Sequence, residues 1–288
     1  MIIDVHTHTF PEKIASRALG VLSGNSHTRP FTDGTIAGLS ASMRESGVTC
    51  SVIQPVATKP EQVTHINDSA MRINTEGDST GVYSFGGIHP FFEDWREELR
   101  RISEAGIKGI KIHPVYQGVN IDDERYMRIL RFSGELGLIA MIHAGYDIGF
   151  PGNDFALPER ISRALDMAGN VRVILAHMGG WRCWNDAVRL FAGRENVYVD
   201  TAFSLGKFEP NGDGYYSSGD ECMMLRDDEF ADMVRAFGSE RVIFGTDSPW
   251  ACQKECVRAV MSLRLDDSEK ENILCYNASD IIKIRINN

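Results

Sequence analysis

Histidines are scarce in this chain, and most of them lie where a short apolar run ends. Four of these histidines and one aspartate form the set with the clearest chemistry: His6, His8, His143, His177 and Asp247. Imidazole nitrogens with one carboxylate oxygen suit zinc and other first-row divalent ions. A catalytic metal keeps one coordination position open for a water, whose pKa the ion lowers toward neutrality. The residue types therefore predict a metal-dependent enzyme.

The spacing of these residues indicates whether they can meet. Side chains two positions apart project from the same face of a strand. His6 and His8 therefore share a face, and so do Lys111 and His113. The same parity is expected to turn Asp247 inward at the end of the last predicted strand. We expect all of these groups to converge at the carboxyl ends of neighbouring strands, where a further histidine or carboxylate can move a proton.

A second group of polar residues is predicted to contact the substrate. His89, Lys111 and His113 also lie at predicted strand ends, although a single histidine there is more often a hydrogen-bonded core residue. Trp181 and Arg182 follow the sixth predicted strand. An indole and a guanidinium near the site could hold a small planar or carboxylated substrate. The alternative is a loop that packs against the fold.

Two further aspartates and one loop are open to more than one interpretation. Asp4 is in phase with His6, so it is predicted to orient His143 or His177 or to act as a buried polar anchor. Asp200 closes the seventh predicted strand, where a structural or orienting role and substrate contact are equally expected. The long segment 203–226 carries Tyr215 and Tyr216 and is a candidate lid.

The elements that must position these groups follow an alternating order. Apolar runs with helical patterns between them are typical of parallel strands covered on both faces. Eight such units predict a distorted (β/α)8 TIM barrel, whose catalytic groups come from the strand carboxyl ends. A doubly wound sheet is the alternative, but the glycine-rich phosphate turn expected after its first strand is absent. The predicted strands span 2–8, 48–56, 83–89, 107–113, 139–143, 171–177, 197–203 and 241–247, with helices at 95–106, 122–137 and 227–238.

Length and composition narrow the classes of partner and compartment. A chain of 288 residues is long enough for one barrel domain, which we place at 1–288. The formal net charge of −10 disfavours nucleic acid and anionic membranes as partners. The six cysteines show no paired framework, and neither a signal peptide nor a membrane-length apolar run is evident. We therefore expect a cytoplasmic protein that acts on a small molecule.

Five motifs in a fixed order give the sequence a family resemblance. They are DVHTH, GIKIHP, MIHAG, ILAHMGGW and IFGTDSPW, and NILCYNASDII follows near the carboxyl terminus. Together they resemble the amidohydrolase superfamily, and more narrowly its amidohydrolase-2 type branch related to aminocarboxymuconate semialdehyde decarboxylase. The resemblance covers residues 2 to about 284. The first predicted strand begins at residue 2, so a β-sandwich like that of many cyclic-amide hydrolases is not expected before it.

The resemblance implies a role for each residue of the set. His6, His8 and His143 would bind one divalent ion, most commonly zinc, at the carboxyl face of the barrel. Asp247 would be a further ligand or would hydrogen-bond the water on that ion, and His177 would stand off the ion as the acid/base or an orienting group. Other members hold two ions bridged by a carboxylated lysine. Lys111 offers that group, but its GIKIHP context favours the single-ion form. Dimers are common in that branch, so a homodimer is one assembly that we consider, although the sequence does not determine the oligomeric state.

Three functional hypotheses remain at this level. The first is a metal-dependent hydrolase that attacks an ester, lactone or amide of a small carboxylated substrate with metal-activated water. The second is a non-oxidative decarboxylase of a small unsaturated or aromatic acid, which an arginine beside the metal would favour. Arg182 is the candidate for that arginine. The third is a barrel that only binds its ligand, and the presence of all five groups argues against it.

Overall fold

The strands form a closed parallel barrel in a computed structural model, which describes residues 1–217 and 224–283. The third strand of the barrel is divided at Phe85 into two short segments, β3 and β4. The eight-stranded (β/α)8 prediction is therefore confirmed, with one interrupted strand. The segments are β1 (Ile3–Thr7), β2 (Cys50–Ile53), β3 (Val82–Ser84), β4 (Gly86–Gly87), β5 (Gly109–Ile112), β6 (Ile139–Ile142), β7 (Val173–Leu175), β8 (Val197–Asp200) and β9 (Val242–Ile243).

Backbone hydrogen bonds between the first and last strands close the barrel. The β1–β2–β3 and β4-to-β9 sheets pair in parallel throughout. The amide of Val5 donates to the carbonyl of Phe244 at 2.9 Å, and the amide of Asp247 donates to the carbonyl of His6 at 2.8 Å. The second bond brings the segment after β9 directly beside the first histidine motif.

Helices alternate with the strands and cover the outside of the barrel. The three predicted helices are present with slightly shorter bounds, at Trp95–Glu104, Glu124–Glu135 and Asp227–Phe237. Short 3₁₀ turns at Pro60–Gln62 and Ser239–Arg241 and a π-helical segment at Asn272–Tyr276 complete the chain. The helices are α1 (Glu12–Ser26), α2 (Ile36–Ser46), α3 (Val63–Thr75), α4 (Gly77–Thr80), α5 (Trp95–Glu104), α6 (Pro114–Gln117), α7 (Glu124–Glu135), α8 (Pro158–Ala168), α9 (Trp184–Phe191), α10 (Asp227–Phe237), α11 (Gln253–Ser262), α12 (Asp267–Glu271) and α13 (Asn277–Ile282).

Two apolar clusters divide the core between the inside and the outside of the barrel. Ile3 and Val5 of β1 share a cluster with Ile139 and Met141 of β6, a strand on the far side of the ring, so this cluster fills the interior. Ala140 and Ile142, which alternate with them, belong to the larger cluster beneath the helices. Burial on both faces explains why the strands are apolar throughout.

The β1 strand does not keep the parity that its sequence predicts. Its pairing with β2 shifts between Asp4 and Thr7, so Asp4 and His6 do not lie in one regular phase. The Oδ2 atom of Asp4 accepts the Gln253 Nε2–H at 2.7 Å, from the first residue of α11. The prediction that Asp4 orients His143 or His177 is wrong, and its alternative role as a buried polar anchor is confirmed.

The sequence led to expectations about the cysteines, the candidate lid and membrane-spanning segments. Cysteines 50, 183, 252, 256 and 275 are free thiols, and Cys222 lies outside the described residues. Part of the candidate lid, 218–223, also lies outside them. In the described part of the chain, no helix has the length and apolar content needed to cross a membrane.

A candidate metal centre at the carboxyl ends of the strands

The predicted histidines lie on one face of the barrel because each follows a parallel strand. His6 and His8 lie at the end of β1, His113 follows β5 and His143 follows β6. His177 lies two residues beyond β7. All these strands run in the same direction, so their carboxyl ends meet at the same face, where barrel enzymes assemble their sites.

His6, His8 and Asp247 form a compact cluster with the dimensions of a metal site. Nε2 of His8 lies 3.2 Å from Nε2 of His6 and 3.1 Å from Oδ1 of Asp247. The remaining distance, from Nε2 of His6 to Oδ1 of Asp247, is 3.5 Å. Ligands of a tetrahedral zinc ion at bonds of about 2.1 Å are separated by about 3.4 Å. The three atoms can therefore hold one divalent ion.

Asp200 sets the orientation of the His6 ring. Its Oδ1 atom accepts the backbone N–H groups of His177 at 2.8 Å and Ala202 at 3.1 Å, two hydrogen bonds that lower the pKa of this carboxyl against the larger effect of burial. Its Oδ2 atom lies 2.7 Å from Nδ1 of His6 and accepts the Nδ1–H. The lone pair of Nε2 then faces His8 and Asp247. This carboxylate–histidine pair is the kind that supports a metal ligand from behind.

Lys111 is buried beside the same ring. Its Nζ atom lies 3.0 Å from Nε2 of His6, and the side chain is 1% exposed. Burial lowers the pKa of Lys111 to about 8, although the charges of Asp200, Asp247 and Asp147 oppose that shift. Burial likewise raises the pKa of Asp200. Lys111 therefore lies with its Nζ atom directed toward the cluster.

Asp247 lies beside the histidines because the chain turns after β9, and not because the side chains of a continuous strand alternate. Strand β9 ends at Ile243, and Asp247 adopts a left-handed backbone with φ of 68°. The prediction that strand alternation turns Asp247 inward is therefore wrong, although the residue does lie beside the histidines as predicted. Burial alone would raise the pKa of Asp247, but hydrogen bonding and charge from His8 lower it below its usual value. The lowered pKa favours the ionised form of this carboxylate.

His177 is fixed by its neighbours on both ring nitrogens. Its Nδ1–H donates to the carbonyl oxygen of Ala202 at 2.9 Å. In the neutral ring, Nε2 is therefore an acceptor, and it lies 3.1 Å from Nδ1 of His143. Burial lowers the pKa of His177 to about 4. The backbone of His177 is left-handed, with φ of 60°, which turns the side chain back over the barrel mouth.

His143 lies nearest to a second group of ligand atoms, not to the first. Its Nε2 atom lies 3.7 Å from Oδ2 of Asp147, and Nε2 of His113 lies 3.6 Å from the same oxygen. These three atoms form a second compact His/Asp cluster, all within 4.8 Å of one another. Binding of His143 to the same ion as His6 stays a prediction. Asp147 was not predicted, although its spacing of four residues from His143 was visible.

The remaining predicted contact residues lie in different surroundings. His89 is buried, and its Nδ1 accepts the amide of Phe91 at 3.2 Å. Trp181 is 4% exposed and belongs to an aromatic cluster with Phe203. Arg182 is exposed, and its guanidinium lies 5.7 Å from the Trp181 ring centroid. Of these three, only Trp181 offers a buried polar atom without a partner among the described residues, the indole Nε1.

The candidate lid residues tie two loops together. Tyr215 stacks on His27 with ring centroids 3.7 Å apart, and His27 Nδ1 lies 2.6 Å from Oδ2 of Asp213. The hydroxyl of Tyr216 donates to the carbonyl of Ser26 at 2.6 Å. The loop after β8 is thus held against the end of α1.

Comparison with known families agrees with this fold. A family model described as amidohydrolase matches residues 3–284. The chain therefore belongs to the amidohydrolase family, which confirms the resemblance drawn from the five motifs. It is an enzyme of the amidohydrolase superfamily, with a His/Asp cluster suited to a divalent ion. No curated protein sequence matches the chain.

Solved structures with the same fold share little sequence with this chain. The 5-carboxyvanillate decarboxylase LigW from Sphingomonas paucimobilis is 14% identical, with a TM-score of 0.67 over 99% of both chains. An uncharacterized TIM-barrel protein, Bb4693, from Bordetella bronchiseptica is 17% identical, with a TM-score of 0.72 over 98% of both. A Pseudomonas putida protein proposed as a 2-pyrone-4,6-dicarboxylic acid hydrolase is 15% identical, with a TM-score of 0.67 over 99% of this chain and 98% of its own.

Proposed function

We propose that this protein is a metal-dependent hydrolase that cleaves an ester, lactone or amide bond of a small carboxylated substrate. The observation that carries the proposal is the cluster of His6, His8 and Asp247, whose ligand atoms lie 3.1 to 3.5 Å apart. This set suits a zinc-like ion because it combines imidazole nitrogens with one carboxylate. A bound ion would polarise the scissile carbonyl and acidify a water molecule.

The protein's own residues would prepare the centre and handle protons. Asp200 holds His6 with its Nε2 lone pair toward the site. Asp247 is ionised, so it can accept the proton that the attacking water loses. The Nδ1–H of His177 is held by the Ala202 carbonyl, so Nε2 is the acceptor that is proposed to take this proton from Asp247 and then pass it to the leaving group. His143 is the proposed fourth ligand that the family resemblance implies.

The position of Arg182 favours hydrolysis over decarboxylation. A decarboxylase of a small acid would benefit from an arginine that grips the carboxylate beside the metal. Arg182 was the candidate, but it is exposed, with its guanidinium over the Trp181 ring. Lys111 is a buried cation that does approach the centre, with its Nζ atom 3.0 Å from His6 Nε2. We propose that Lys111 receives an anionic or carbonyl oxygen of the substrate.

Similarity to solved structures supports both activities and does not separate them. One similar structure is a decarboxylase, and another is proposed as a hydrolase of a cyclic dicarboxylic acid. A 2-pyrone is a lactone, so the second case fits the bond class proposed for this chain. Decarboxylation stays the alternative outcome of the experiment. We also retain as proposals a cytoplasmic location, one zinc ion per chain, a small-molecule substrate, and a homodimer.

The test is a reaction screen on the zinc-loaded protein with two product readouts. Lactones, amides and carboxylated aromatic acids are incubated with the enzyme, while acid release and carbon dioxide release are followed separately. We expect acid release without carbon dioxide, loss of turnover after chelation, and recovery on adding zinc. Carbon dioxide release as the metal-dependent product would replace the hydrolase proposal with the decarboxylase. The variant H8A, with one imidazole removed, should lose turnover to the same extent as chelation.

A further inference from the structure

We propose that Trp184 is a positioning residue for His177, the proposed acid/base group. The indole N–H of Trp184, at Nε1, donates to the backbone carbonyl oxygen of His177 at 3.1 Å. Trp184 is the first residue of α9 and lies seven positions after His177. This assignment rests on the acid/base role that the proposed function gives to His177, but it does not depend on which bond the enzyme cleaves.

The turn between β7 and α9 has an unusual backbone. His177, Met178 and Arg182 have φ of 60°, 53° and 62°, in the left-handed region that residues other than glycine rarely adopt. Such conformations cost free energy, so they persist only where the surrounding structure holds them in place. The turn that carries His177 therefore needs contacts from outside itself to keep its shape.

The peptide group between His177 and Met178 is held at both of its ends. The amide of Met178 donates to the backbone carbonyl of Asp200 at 2.7 Å, and the carbonyl of His177 accepts the Trp184 indole N–H. A peptide group is planar, so its carbonyl and its amide turn together when it rotates. One hydrogen bond from β8 and one from α9 therefore fix the orientation of this plane.

The two peptide planes that meet at His177 set the direction of its side chain. The amide of His177 holds the first plane by donating to Oδ1 of Asp200 at 2.8 Å, and Trp184 holds the second. Because Cβ is bonded to the Cα atom that joins these planes, its direction follows from their orientation. In this orientation the His177 ring centroid lies 5.4 Å from that of His6, and Nδ1–H donates to the Ala202 carbonyl.

Trp184 is itself fixed by apolar contacts on two sides. It packs against the large cluster beneath the helices and against the aromatic cluster of Trp181 and Phe203. The same carbonyl of His177 also accepts the amide of Gly180 at 3.2 Å, which is a contact within the turn. Trp184 supplies the donor from outside the turn. An indole suits this task because it combines a large apolar body with one polar atom.

A purely structural role for Trp184 is the alternative. In that case the loss of its N–H would reduce turnover by the same factor whether or not the His177 imidazole is present. If Trp184 acts through His177, the effect disappears when that imidazole is absent. A double-mutant cycle separates the two cases, because coupled residues give effects that are not additive.

The first experiment is that cycle, measured as kcat on the zinc-loaded protein with the substrate found in the reaction screen. W184F keeps an aromatic ring but loses the N–H, so kcat should fall by about 2- to 10-fold, as for the loss of one hydrogen bond. In the H177A background, W184F should cause no further loss. Zinc content should stay that of the wild type, since Trp184 is not part of the His6–His8–Asp247 cluster. An equal loss of kcat in both backgrounds, or no loss in either, would overturn the proposal.

The second experiment needs no substrate, so a failed reaction screen leaves it decisive. Hydrogen exchange of the backbone amides of His177 and Met178 is measured by NMR in the wild type, W184F and W95F. W95F is the matched control for losing an indole, since Trp95 lies in α5 and packs against Phe132. Both amides should exchange roughly 2- to 10-fold faster in W184F than in W95F, because the turn opens more often without the indole bond. Equal rates in the two variants would overturn the proposal.

A second change at the same position separates the hydrogen bond from packing. Trp184→benzothienylalanine puts sulfur in place of the N–H and keeps the shape of the ring, so a folded protein is expected even where W184F unfolds. Thermal unfolding confirms the fold before either measurement. This variant should show the same faster exchange and the same coupling to H177A. Wild-type exchange rates and wild-type kcat in the folded variant would show that the ring acts by packing alone.

Discussion

The carboxylate of Asp200 lies 2.7 Å from Nδ1 of His6, although the two residues are 194 positions apart in the chain. The same carboxylate accepts the backbone amide of His177. One buried aspartate at the end of β8 therefore orients His6, a proposed metal ligand, and anchors the strand end that carries the proposed acid/base. The barrel makes this possible because β7, β8, β9 and β1 follow one another around the ring.

Substitution of Asp200 by asparagine should weaken metal binding. The amide oxygen in D200N could still accept the two backbone N–H groups, but the amide nitrogen would then replace Oδ2 and present a donor to the His6 Nδ1–H. Loss of such a supporting group typically lowers metal affinity by roughly 10- to 100-fold. Competition with a chelator would measure the zinc affinity of D200N against the wild type. D186N, which changes an exposed aspartate, is the matched control. Unchanged affinity in D200N would contradict the role assigned to Asp200.

Replacement of His177 by alanine should reduce turnover while leaving the proposed metal site filled. His177 is not part of the His6–His8–Asp247 cluster, so H177A should still bind zinc there. Loss of a general acid typically costs roughly 10²- to 10⁴-fold in rate. Metal content and kcat measured on the same preparation would separate these effects. Unchanged kcat in H177A would remove His177 from its proposed acid/base role.

Replacement of Arg182 by alanine tests the choice between the two reactions. Its guanidinium is exposed over Trp181, so we expect kcat/KM to change by less than about threefold, close to a typical surface effect of about 0.5 kcal/mol. By contrast, K111M should raise KM for a carboxylated substrate, since it removes the buried amine near His6. A large loss of kcat/KM in R182A would indicate the carboxylate grip expected of a decarboxylase.

The start of α7 offers a test of stability that lies away from the site. Asp123 accepts the amide of Arg125 at 2.9 Å, and its Oδ2 lies 2.7 Å from Nη2 of the same arginine. The hydrogen bond from the Arg125 side chain lowers the pKa of Asp123 to about 2. Loss of this cap in D123A should reduce the free energy of unfolding by about 1 kcal/mol at pH 7.

The stability lost in D123A should depend on pH in a defined direction. The folded-state pKa of Asp123 is lower than its unfolded value, so its ionic contribution is complete above about pH 4. That contribution decreases as the pH falls toward 2, and the difference between wild type and D123A should narrow. D123N keeps the cap oxygen but not the charge, so it should lose only the pH-dependent part. Denaturant unfolding at pH 7 and pH 3 would measure both, and a pH-independent gap would contradict the assignment.

Much of the fold could be predicted because its signal is local. The apolar run of β6 alternates Ile139 and Met141 toward the barrel interior with Ala140 and Ile142 toward the helices. A strand buried on both faces has to be apolar throughout, and eight such runs separated by helical patterns leave few alternatives. The positions of His6 and His8 at the end of β1, and of Asp247 in the segment after β9, also follow from that order.

Local irregularities of the backbone were harder to predict from the sequence. The register shift in β1 separates Asp4 from the phase of His6, and the turn after β9 replaces strand parity at Asp247. Such irregularities arise where the hydrogen bonds of a buried polar side chain, or a residue with a left-handed backbone, interrupt the regular hydrogen bonding between strands. Their positions depend on partners such as Gln253 that are distant in sequence.

The sequence by itself determined the barrel, the amidohydrolase resemblance and the identity of one histidine–aspartate cluster. These follow from residue types and from their order along the strands. Only the tertiary structure decided that Asp200 supports His6, that Arg182 is exposed over Trp181, and that Asp147 joins His113 and His143. The physical reason is that hydrogen-bond partners and ligand distances are set by how strand ends and loops pack. Sequence spacing constrains this packing only within one element.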